Sequence, residues 1–295
     1  MNVLVEALRF VLKLLLPCLR FLVTRRGICL LVAAAVIVPF LYTLPLPFEP
    51  SPWAKAVYNT LDKLPPGSHV LLSFDYGPGS KEEIYPMSLA ILRHCHKKGL
   101  VPVVMTHVVS NVDLSRKACE QAAADAKEMW GKEVRSGRDY VYLGFKPGYS
   151  NLVLNMGESI KGAFPKDYYG QPTQTMKALE GVDSLKDIDM GMSLASIGSI
   201  EMWIAFGADR SGFPFAAGCT AVMTADMYPY LQSKQMVGFL SGLRGAADYE
   251  QLVGVPGDAT RGMQSQSVTH VLLIILILGA NVVFIAGRIR SRRAA

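Results

Sequence analysis

Two uncharged apolar stretches of about 20 residues constrain this chain more than any other feature. The first, ICLLVAAAVIVPFLYTLPL, spans residues 28–46. The second, VTHVLLIILILGANVVFIAG, spans 268–287 and holds only His270 as a titratable group. As helices rising 1.5 Å per residue, both reach across a hydrocarbon core of roughly 30 Å. Lipid offers the backbone no water, so the expectation is two transmembrane helices, over 27–47 and 268–287. They explain why 51% of the residues are hydrophobic and only 18% charged, a balance too apolar for an ordinary soluble domain.

The flanks set the orientation. Arg25 and Arg26 precede the first stretch, and Arg288, Arg290, Arg292 and Arg293 follow the second. Lysine and arginine stay on the cytoplasmic side, so both termini are expected inside, with 288–295 as a basic tail and 48–267 outside, periplasmic or extracellular. No small-residue cleavage site follows the first stretch, which is therefore read as a retained anchor.

The net charge of +6 belongs to the termini. Residues 1–26 carry five Lys/Arg and one Glu, and 288–295 carry four Arg. That leaves 21 basic and 23 acidic residues in 48–267, a net of −2. The only sizeable domain lacks the positive surface that phosphates require, so nucleic acid is not an expected partner.

Residues 1–26 read as an amphipathic helix on the cytoplasmic side. At 100° per residue, Asn2, Glu6, Arg9, Lys13, Pro17, Arg20 and Thr24 fall on one narrow stripe of an otherwise apolar cylinder. Such a helix lies in the lipid interface with its polar edge towards water, or packs inside an oligomer. Its first expected partner is thus membrane lipid. Of five cysteines, Cys95, Cys119 and Cys219 fall in 48–267, an odd number that leaves at least one thiol free or paired between chains.

Between the apolar stretches, strand-like runs alternate with amphipathic helices. HVLLSFDY, VPVVMTH, DYVYLGF, DIDMGMSLA and FPFAAGC read as strands. WAKAVYNTLDKL, 80–98, 114–130, 199–208 and 236–252 read as helices, and 257–267 as a polar tether. The spacing of Ser80 and Glu83 predicts a capping box at the start of the second helix. Alternating apolar strands and helices imply βαβ units, hence an α/β, Rossmann-like domain with a mainly parallel sheet.

Ligands of such sheets sit beyond the carboxyl ends of the strands. Asp75, Tyr76, His107, Lys146, Ser193, Cys219 and Thr220 land there, with Ser80 just after. A histidine on an earlier strand and a cysteine on a later one resembles the layout of caspase-like cysteine peptidases, over about 120 residues. That family's His-Gly and Gln-Ala-Cys signatures are absent, the chain reading Thr106-His107-Val108 and Gly218-Cys219-Thr220. The resemblance implies a Cys219 nucleophile with His107 as its base.

Other motifs carry less chemistry. Asp75-Tyr-Gly-Pro-Gly-Ser precedes a helix as a phosphate loop would, but matches neither glycine pattern of nucleotide sites, and no cofactor is expected. His94-Cys95-His96 diverge by 100° per residue on a helix, so no metal site is expected. Asn281 follows Gly279 and Ala280 mid-span, where an amide and small neighbours suit a helix–helix contact. The expected role is a non-enzymatic structural or ligand-binding subunit of an oligomeric membrane assembly, built from copies of itself, other membrane subunits, or both. The alternatives are an extracytoplasmic cysteine hydrolase using Cys219 and His107, or an accessory subunit of a transporter.

Overall fold

The computed structural model describes residues 24–42 and 49–294. Its chain forms two compact units, Met1–Pro47 with Arg261–Ala295, and Phe48–Thr260.

The first apolar stretch forms α1, Arg25–Leu41, whose N-terminus is closed by the Thr24 hydroxyl accepting from the Gly27 amide at 3.2 Å. The helix starts two residues before the expected boundary at 27. Apart from residues 24–26, the expected amphipathic helix lies outside the described residues, as do 43–48.

The α/β unit opens with α2, Pro52–Asp62, capped by the Ser51 hydroxyl. Six strands follow: β1 His69–Asp75, β2 Val101–Thr106, β3 Val141–Phe145, β4 Met190–Ala195, β5 Phe215–Cys219 and β6 Gly238–Ser241. All neighbours pair in parallel, in the order β3-β2-β1-β4-β5-β6. That is the doubly wound Rossmann order, whose direction of winding reverses between β1 and β4.

One face is covered by α3, Lys81–Lys98, packed against α4, Val112–Trp130. The apolar stripe Ile84, Met87, Ile91 and Cys95 is fully buried. Glu82 and Glu83 in the first turn of α3 and His96, Lys97 and Lys98 in its last complement the helix dipole. Gly99 ends the helix at φ 75°, a conformation that favours glycine.

The other face carries α5, Tyr149–Glu158, α6, Ile160–Ala163, and a helix that runs Ser199–Met202 (α7), Trp203–Ala208 and Asp209–Ser211 (α8), with π-helical turns in its middle section. The Gly-, Pro- and Tyr-rich segment 146–172 thus holds two helices. Then come α9, Thr224–Gln232, and α10, Gly242–Val253, which packs on α3 and α2. Residues 236–252, read as one helix, instead begin with β6. Its four residues are too few to show a periodicity.

The last helix, α11, runs unbroken over Asp258–Ala294. Among the described residues it alone is long and apolar enough to cross a membrane, its mean hydropathy reaching 2.6. The stretch expected to be a polar tether forms its first turns. Glu250 supplies the reason: its carboxyl accepts the amides of Gly257 at 2.8 Å, Ala259 at 3.3 Å and Thr260 at 2.9 Å, and the Thr260 hydroxyl at 2.7 Å. Those amides would otherwise lack partners at a helix start.

Candidate functional site

The carboxyl ends of β1, β2 and β4 converge where the winding reverses. Asp75 ends β1, fully buried, and gathers three donors. The Ser73 hydroxyl reaches it at 2.6 Å and the main-chain amide of His107 at 2.7 Å, while the imidazole Nδ1 of His107 faces it at 3.3 Å. His107 follows β2 directly, so the β1–β2 pairing itself delivers that amide.

The pairing also sets the tautomer. Nδ1 of His107 faces two oxygens, Oδ1 of Asp75 and, at 3.4 Å, Oγ of Ser73. The Ser73 hydrogen is given to Asp75, so in the neutral imidazole the proton sits on Nδ1 and Nε2 is the acceptor. Nε2 is buried without a hydrogen-bond partner. Tyr149 stacks over the ring at 5.3 Å between centroids, and Trp203 meets it edge-on at 5.7 Å.

His107 is not alone in this. The buried Asn111 Oδ1, Glu201 Oε2 and Trp203 Nε1 also lack partners. All four atoms belong to segments that follow β2 or β4 at the switch point. Buried polar atoms are satisfied in the great majority of cases, so each of these exceptions marks an atom whose bonding a ligand or water can complete. Neither Asn111, Glu201 nor Trp203 had a recognisable sequence signal; only strand order brings their segments together.

Ser193 stands beside Ser73 in register and is fully buried, its hydroxyl 3.4 Å from that of Ser199. Tyr76 belongs to the opposite layer, where its hydroxyl meets Ser88 at 3.0 Å and burial pushes its pKa up. Lys146 lies beyond the edge strand β3, its ammonium bonded to the Ala163 carbonyl and 5.5 Å from the Phe164 ring. It is two strands away from the switch point. Thr220 follows β5, largely buried.

Cys219 ends β5, and its alignment is with Ala195 of β4, which aligns with Asp75 of β1. Two strands therefore separate Cys219 from β2, and at the usual strand spacing this puts it roughly 14 Å from His107. A thiol and its base work at about 3 Å. The strand order does not bring the two together. Cys219 is fully buried in the apolar cluster that includes Ala217, Met227 and Trp203, and burial pushes its thiol pKa up to about 12. Cys95, Cys119 and Cys219 are all free.

The capping box does not form. Ser80 gives α3 no side-chain cap, and Glu83 turns instead to the Ala221 amide at 2.9 Å, beyond the end of β5. A carboxyl bonded across the sheet this way is lost to its own helix. Glu82 and Glu83, with Pro78 in place of an amide donor, oppose phosphate at this helix start.

His94 is committed structurally. It bonds the Tyr249 hydroxyl at 2.9 Å and Asp62 at 3.3 Å and stacks on Tyr58 at 4.4 Å. Among the described residues no three His, Cys, Asp or Glu side chains are grouped to hold a metal. Asn281 and Gly279 lie exposed on α11.

Comparison with protein-family models, with curated proteins and with solved structures finds no match.

Proposed function

We propose that this chain is a two-span membrane protein that holds its Rossmann-like domain outside the cytoplasm and serves as a non-enzymatic, ligand-binding subunit of an oligomeric membrane assembly. The observation that carries the ligand-binding role is the Nε2 atom of His107, buried and unpartnered at the switch point. The arginines flanking the two apolar stretches support the orientation. Asn281 and Gly279, exposed within an apolar helix, support association, because an amide in hydrocarbon is satisfied across a helix–helix contact.

Two measurements test this reading. Native mass spectrometry of the full chain in mild detergent is expected to show a mass well above the monomer's 32.2 kDa; a clean monomer overturns the assembly. A single cysteine at exposed Glu180 is expected to react with an impermeant maleimide in intact cells. Reaction only after permeabilisation overturns the orientation.

A further inference from the structure

The bonding capacity left open at the switch point specifies what can fill it. In the neutral imidazole, His107 Nε2 is the acceptor, since Asp75 and Ser73 face Nδ1. The Asn111 amide nitrogen is already committed to the Phe74 carbonyl at 2.6 Å and the Ser115 hydroxyl at 3.0 Å, so its free atom is the oxygen, an acceptor. Glu201 Oε2 is a third acceptor, and the Trp203 N–H is the lone donor. Three acceptors against one donor call for a ligand rich in N–H or O–H groups.

Charge narrows the choice. The segments that leave the three strands, 76–83, 107–114 and 196–203, contain Glu82, Glu83, Asp113 and Glu201 against Lys81 alone, and Asp75 stands beneath them. The faces of the Tyr149 and Trp203 rings favour a cation over an anion. Tyr149 is the cover. Its ring lies over His107 although the residue is 47% exposed, and its backbone sits at φ 40°, just after Gly148 at φ 127°. A non-glycine residue held there is strained, as residues at ligand clamps are.

We infer that the switch-point crevice binds a small organic cation, a primary amine or its close kin, which donates hydrogen bonds to His107 Nε2 and the Glu201 carboxyl once the Tyr149 ring swings aside. The inference rests on the ligand-binding reading above and gives it a chemical class.

An isosteric series tests it on the full-length protein in detergent: 1,4-diaminobutane, 1,4-butanediol and succinate at equal concentration, read by the thermal unfolding midpoint. The diamine is expected to raise the midpoint by several degrees, with no response to the other two. Glu201→Gln and His107→Gln should each weaken the diamine's apparent affinity at least tenfold. Because His107→Gln can perturb folding, the unliganded unfolding midpoint of each variant is measured first, and Glu201→Gln, which keeps the side chain's shape and loses only its charge, carries the test where His107→Gln is destabilised. A shift from the diol or succinate that depends on His107 overturns the cationic class while leaving the crevice as a ligand site. No shift from the diamine, or one indifferent to both His107→Gln and Glu201→Gln, overturns the inference. The native mass and orientation judge the assembly independently.

Discussion

Asp75 accepts the main-chain amide of His107 at 2.7 Å and faces the imidazole of the same residue at 3.3 Å, so one buried carboxyl fixes both the backbone and the ring of its neighbour across the sheet. Replacing Asp75 by Asn turns one of those oxygens into a donor aimed at donors. A loss of about 2–4 kcal/mol is expected, since breaking one side of a buried hydrogen-bonded pair leaves the other unsatisfied. Urea unfolding of the full chain measures it, and a change under about 0.5 kcal/mol would show that Asp75 does not hold this corner.

Acid should destabilise the fold before the carboxylates titrate. Burial pushes the imidazoles of His94 and His96 down to about 4, against the opposing pull of Asp62 on His94 and of Asp139 on His96. The unfolded chain protonates them near 6.5. Between pH 6.5 and 4 the unfolded state therefore binds more protons, and stability falls as pH falls. Each histidine contributes on the order of 3 kcal/mol by pH 4, at about 1.36 kcal/mol per unit. Urea midpoints at pH 7.5, 5.5 and 4.5 check this, and the slope should shrink in His94→Gln. A flat profile over that window refutes it.

The three cysteines of the α/β unit should be inert in the folded protein. Cys95, Cys119 and Cys219 are fully buried, and burial raises the pKa of each thiol, that of Cys219 to about 12. Maleimide should reach them only after denaturation, with the same yield with and without reductant, because none is in a disulfide. Mapping by peptide mass spectrometry decides it. Native labelling of Cys219 would reopen a role for the thiol.

Glu250 should matter more than its place in mid-helix suggests. It takes three amides and a hydroxyl at the start of α11. Glu250→Ala is expected to cost about 2–4 kcal/mol. Hydrogen exchange at residues 257–260 should accelerate at least tenfold in the same variant, a local readout that global stability alone would not give. Unchanged protection there would contradict the cap.

What was legible from residues alone was whatever leaves a periodic or compositional trace. The apolar stretches, the basic flanks, five of the six strands and the buried stripe of α3 are of this kind, because an apolar environment selects residue types locally. Strand ends were legible too, which is how Asp75, His107, Ser193 and Cys219 came to be named together. Which ends are neighbours was not. The order β3-β2-β1-β4-β5-β6 makes His107 the neighbour of Asp75 and sets Cys219 two strands apart from β2. Glu83 and Glu250 follow the same logic, each taken from its own helix to bond amides 138 and between 7 and 10 residues away in the chain. Such choices depend on which groups remain unpaired once the layers have closed. That is a property of the packed chain and is written in no single segment of it.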